Sequence, residues 1–156
     1  PEAGFRLLAW DDVPLMNQDI EHPAPGAVAR VRDEVKRADG LWLFSPEYNH
    51  AIPGPLKNLL DWLSRPVSAT EAQVLAEKPV ALAGASIGMS GASHAQDQLV
   101  GMLSFLDAHV MNKPRLCIPH IATQADEQGR LKLESSAPYL EAQADAFVRF
   151  VEREQG

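Results

Sequence analysis

Cysteine is almost missing from this chain: Cys117 is the only one in 156 residues. No intramolecular disulfide can form, so stability must come from packing, and a reducing compartment, the cytoplasm, is the expected location. Basic residues are also scarce. Fourteen Lys and Arg stand against 21 Asp and Glu, a formal net charge of −7, which leaves no basic field to meet phosphates and argues against nucleic acid as a partner. No apolar run approaches the ~20 residues that a membrane span needs, so no membrane partner is expected. Signal-peptide, repeat and low-complexity patterns do not stand out. Histidine and cysteine never cluster at metal-ligand spacing, and no metal is expected. The five histidines pair with no obvious carboxylate in sequence, so acid–base or nucleophilic machinery is not evident either.

What is present reads as one globular domain over residues 1–156, with 46% hydrophobic and 22% charged residues, enough for a proper core. The chain opens at Pro1-Glu2-Ala3-Gly4 and enters an expected strand at Phe5 to Trp10. A polar loop follows from Asp11 to Pro25. Val28, Val31, Val35 and Ala38 then mark the inner face of a helix. Leu41 to Phe44 is a short unbroken apolar run, which predicts a strand buried on both faces. A turn-rich loop leads to a helix over 55–64, with Pro55 in its first turn and Leu56, Leu59, Leu60 and Leu63 at helical spacing. Residues 66–77 connect to the apolar strand Val80 to Ala85. A small-residue loop, Ser86-Ile87-Gly88-Met89-Ser90-Gly91, precedes a helix from Ala92 to about Ala108. A strand region over Val110 to Ile118 is interrupted by Asn112-Lys113-Pro114. Residues 119–135 are turn-like, and a last helix begins near Ser136, whose hydroxyl is the expected cap.

Strand, loop and helix in this order put residues 46–54 and 86–91 at the carboxyl ends of parallel strands, where open α/β sheets hold ligands. Backbone amides in a small-residue loop can point at ligand oxygens. Cys117 lies in an apolar strand and reads as a buried, inert thiol. His50 and His94 flank the two loops and read as structural or solvated in the main. Trp62 lies off the leucine face of its helix, which suits either a neighbouring loop of the same chain or a subunit contact.

The run Leu41-Trp42-Leu43-Phe44-Ser45-Pro46-Glu47-Tyr48-Asn49, continued by Ile52-Pro53-Gly54, Leu56-Lys57-Asn58 and Asp61-Trp62, resembles the NADPH-dependent FMN reductases. That family also includes quinone, azo-dye and chromate reductases. The resemblance implies an α/β, flavodoxin-like, doubly wound parallel sheet in three layers, with strand order 2-1-3-4-5. In that scheme Phe5 to Trp10 corresponds to the second strand. The first strand and its phosphate-gripping loop are expected upstream of the residues given, a βα unit of roughly 30 residues or fewer. The implied function is an FMN-dependent oxidoreductase that takes hydride from NADPH or NADH. It would pass reducing equivalents to a small-molecule acceptor: a quinone, an azo compound, free flavin or a metal oxyanion. The flavin carries that chemistry, so no catalytic side chain is required. The implied cofactor-binding residues are Pro46, Glu47, Tyr48 and Asn49 in one loop and Ser86, Gly88 and Gly91 in the other. The family often has Gly-Gly where this chain has Gly91-Ala92, and Arg where His94 stands. It also favours the subunit reading of Trp62, a homodimer or homotetramer through the 55–64 helix. Two other readings are a flavodoxin-like electron carrier with no NAD(P)H activity of its own, and a domain that keeps the fold but no longer binds FMN.

Overall fold

The computed structural model describes residues 3–156. Its centre is β2 (Pro79–Ala85), a seven-residue strand of small and β-branched residues, buried from Pro79 to Gly84. β1 (Leu41–Phe44) runs parallel to it, with Leu41 opposite Val80 and Phe44 opposite Ala83. On the other edge β2 is covered in two pieces. β3 (His109–Val110) pairs with its first residues and β4 (Leu116–Ile118) with its last, both parallel. The strand region expected over 110–118 is therefore one sheet position broken in the middle, where the sequence has Asn112-Lys113-Pro114.

Helices cover both faces, because the alternation along β2 sends side chains both ways. Val80 and Leu82 join α1 (Gly26–Arg37), α2 (Gly54–Leu63) and α3 (Ser93–Phe105) in the larger core, with Val31, Val35, Leu60, Leu99 and Leu103 almost fully buried. Each such leucine or valine contributes about 1.5–3 kcal/mol of transfer free energy. Ala81 and Ala83 face α4 (Ala137–Gln155), where Phe147 packs against Ala81 and Met111, and Leu140 against Ala83 and Leu116. Gly40 lets this helix come close, since a Cβ there would lie 2.8 Å from the Phe147 ring. Gln143, fully buried on α4, ties the layers together. Its Oε1 accepts from Trp42 Nε1 at 3.0 Å, and its Nε2 donates to the carbonyls of Leu82 and Pro114 at 2.8 and 2.7 Å.

Several expectations are corrected. Phe5 to Trp10 forms no strand: no ladder partner lies beside it among the described residues. It packs by side chains instead, Leu8 and Trp10 against the larger core and Phe5 with its ring 5.5 Å from that of Trp42. β1 is not buried on both faces. Phe44 is 57% exposed, and Leu41, Trp42 and Leu43 are only half-buried. Trp62 is fully buried within this chain. Its Nε1 donates to the Pro14 carbonyl at 2.8 Å, so the Asp11–Pro25 loop, not a second subunit, covers it. Cys117 is exposed, since Leu116 and Ile118 take the inward positions of β4. The Ser136 hydroxyl makes no capping bond and instead accepts from Gln124 Nε2 at 2.7 Å. α3 stops at Phe105, three residues earlier than expected, where the chain turns through Asp107 at φ 59°.

Candidate functional site

The parallel register of β1 and β2 delivers their following loops side by side at one edge of the sheet. Pairing continues one residue past β1, where the buried Ser45 donates its N–H to Ala83 O at 2.9 Å. Gly84 makes this approach possible: a Cβ there would sit 2.5 Å from the Ser45 carbonyl and 2.7 Å from Ala92 Cβ.

The first loop turns sharply. Tyr48 and Ala51 exchange both backbone hydrogen bonds at 3.0 Å, and Asn49 and His50 between them sit at φ 53° and 59°. Two successive positive φ values describe a type I′ turn, and Asn and His tolerate that region better than most residues. Three hydrogen bonds staple this loop to α3. Glu47 Oε2 accepts from Ala95 N–H at 3.1 Å, Gln98 Oε1 accepts from Ile52 N–H at 3.3 Å, and Gln98 Nε2 donates to His50 O at 3.0 Å. Burial alone would raise the Glu47 carboxyl, but bonds from the Ala95 amide and the Ser90 hydroxyl, with His94 beside it, outweigh that and hold it below the usual carboxylate range.

The second loop is organised by one hydroxyl. Ser86 Oγ accepts from Gly91 N–H at 2.9 Å and donates to Gly88 O at 3.0 Å. Ser86 N–H donates to Ile118 O at 3.1 Å, and Gly88 O also accepts from His120 N–H at 3.0 Å, which fixes the loop against β4. The backbone amides of Ile87, Gly88 and Met89 make no hydrogen bond among the described residues. Gly91 closes the loop at φ 58°, where a Cβ would lie 2.8 Å from the backbone of Cys117.

The two predicted loops are thus neighbours. Pro46, Tyr48, Asn49 and Gly88 are exposed, and Glu47 and Ser86 are half-buried. Gly91 is buried, so its part is to shape the loop. Ser45, Gly84 and Gln98 escaped sequence reasoning, because each acts on a backbone group distant in sequence and leaves no local pattern. The stacking of His50 on His94, ring centroids 4.3 Å apart, is likewise invisible at a separation of 44 positions. Two surface cavities lie elsewhere, one lined by His22 and Pro66 to Ala72 and one by Lys36 to Asp39 and Glu77 to Pro79. The Cys117 thiol, exposed on β4, is pushed above its ordinary range by desolvation, first among several influences, with Arg115 opposing.

Residues 3–123 match the family described as NADPH-dependent FMN reductase. The chain belongs to that family. Among its relatives is an NAD(P)H-dependent FMN reductase of Pseudomonas aeruginosa, 37% identical over all of this chain and 83% of the relative. A 2-hydroxy-1,4-benzoquinone reductase of a Burkholderia species is 36% identical over 96% of this chain and 80% of its own. A quinone reductase of Escherichia coli is 38% identical over 91% and 75%. The solved structure of FerB, a flavoenzyme NAD(P)H:(acceptor) oxidoreductase from Paracoccus denitrificans, superposes with a TM-score of 0.83 at 33% identity, covering 97% of this chain and 81% of that one. The parallel sheet with helices on both faces is accordingly the flavodoxin-like fold of an FMN reductase.

The two loops fit the ring end of the FMN that the family implies. They offer free amides at residues 87–89 and exposed apolar surface at Tyr48, Ile87 and Met89. Neither 46–50 nor 86–91 contains a Lys or Arg, so the fit does not extend to the phosphate.

Proposed function

We propose that this FMN reductase relative binds FMN between the 46–50 and 86–91 loops and uses NADPH or NADH to reduce a small acceptor of the quinone class. The observation that carries the reading is the pairing of two rigid loops at the carboxyl edge of β1 and β2, with unpaired amides in one and exposed Tyr48 and Asn49 in the other. FMN, when bound, supplies the hydride chemistry. The amides of Ile87, Gly88 and Met89 would donate to ring oxygens. Tyr48 would cover ring or ribityl surface, and the Asn49 amide would bond the polar edge. Glu47 gives one carboxylate oxygen to α3 through the Ala95 amide, which helps hold the loop in place. The names of two of the three relatives favour a quinone over an azo compound or a metal oxyanion, while the third names FMN.

The strand order 2-1-3-4-5 belongs to the same proposal. The edge of β1 away from β2 carries no hydrogen-bonded strand among the described residues, as an inner position of that order beside Phe5 to Trp10 would require. A homodimer or homotetramer is also proposed, resting on exposed Ile87, Met89 and Phe105 and not on Trp62. The cytoplasm is proposed on the single cysteine.

The deciding experiment is to denature the purified protein, quantify the released flavin, and follow NADPH oxidation with benzoquinone and no partner reductase. About one FMN per chain with acceptor-dependent turnover is the expected result. Flavin without NADPH oxidation would make the protein a carrier, and a colourless protein that does not take up added FMN would overturn the proposal.

A further inference from the structure

Glu47, His50 and His94 each bring a ligand atom to one spot at the rim of the two loops. The three atoms lie within 4.8 Å of one another, and no other such group of three occurs among the described residues. We propose that these three side chains form a site for a divalent first-row transition metal of the zinc type. Two imidazoles and a carboxylate suit such ions by chemistry. Three protein ligands leave a coordination position for water or an anion, as in open rather than structural sites.

The geometry supports this on three counts. The donors come from two elements that are already fixed to each other, the turn at Tyr48–Ala51 and the first turn of α3. Gln98 clamps the backbone on both sides of the turn, through His50 O and Ile52 N–H, so the main chain of His50 is already fixed beside α3. One carboxylate oxygen of Glu47 is held by Ala95 N–H, which orients the other, as partners outside a metal's ligand set commonly do. Finally, both imidazoles are exposed, stacked on each other with ring centroids 4.3 Å apart. Zinc–ligand bonds of about 2.0–2.2 Å need donors closer than 4.8 Å, and rotation of the two rings out of their stack can supply the difference. The chain's net charge of −7 favours a cation there.

A metal in this position would lock the 46–52 loop onto α3. The proposal does not depend on the flavin reading, and its failure would leave that reading untouched.

The test is equilibrium dialysis of the whole protein, freed of metal by chelation, against micromolar zinc with metal analysis of both compartments. Wild type should hold one zinc per chain in a class of sites that is weakened at least tenfold in His94→Ala and in His50→Ala, and absent from the double variant. Both variants should melt like wild type in chelator, because the rings are exposed, and should lose the zinc-induced rise in melting temperature. Unchanged zinc affinity in the double variant, which keeps His22, His109 and His120, would overturn the proposal. So would a wild type that takes up no zinc under these conditions.

Discussion

The backbone at Asn49 and His50 runs through φ 53° and 59°, and the side chains of this turn are displayed while its main chain is tied down by Gln98. Function and framework are therefore separable here, residue by residue. Replacing Tyr48 and Asn49 together by Ala should weaken FMN by about 1–3 kcal/mol, the scale of lost polar contacts in a site, with a modest drop in melting temperature of the flavin-free protein because Ala is strained at the positive φ of position 49. Fluorescence titration of FMN checks the first half and calorimetry the second. Gly91 is the converse case. An Ala there would take up φ 58° and push its Cβ within 3 Å of Cys117 and Ile118 backbone, so Gly91→Ala should destabilise the fold by about 1–3 kcal/mol in urea titration.

Among the elements, α2 shows where the sequence was legible and where it was not. Its start at Pro53-Gly54-Pro55 and its leucine spacing were plain from local chemistry. The partner of Trp62 was not, because the Pro14 carbonyl that receives its Nε1 lies 48 positions away. With Trp62 fully buried, Trp62→Glu should unfold the chain rather than yield soluble monomers, and Trp62→Phe should cost about 1–3 kcal/mol through the lost Nε1 bond and a small void, with Pro14 O still accepting from Asn58 Nδ2 at 2.9 Å. Circular dichroism beside sedimentation separates the two outcomes for the glutamate variant. The Phe5 to Trp10 segment failed for a related reason: its apolar content suited a strand, but a strand requires a neighbour that sequence alone does not supply. Both loops of the site were legible because strand-end chemistry is local. Their mutual attachment was not, resting as it does on side chains bonded to distant backbone atoms.

Across the molecule, the response to acid is set by carboxylates that their partners hold low: Glu21, Glu47 and, through the Arg130 amide first of all, Asp126. Arg65 Nε donates to Glu21 Oε1 at 2.9 Å and, as the largest influence, holds that buried carboxyl below its ordinary range. Glu47 is also held low. A depressed folded-state pKa gives stability that is fully present above the unfolded carboxylate value of about 4.3 and is lost as pH falls through the folded value. Stability should therefore fall on acidification below that range, and Glu21→Gln should flatten the acid limb. Urea midpoints from pH 7 down to pH 3 measure this. An acid limb identical to wild type in Glu21→Gln would refute the assignment.

The wiring of the sheet has one more consequence. Among the described residues β1, β3 and β4 are each hydrogen-bonded to β2 and to no other strand. Such a star leaves no partial sheet that survives without its centre, whereas any arm can detach alone. In hydrogen–deuterium exchange the amides of Val80 to Ala85 should be the last to take up label, at a rate set by global opening. Those of β3, only two residues long, should exchange well before them.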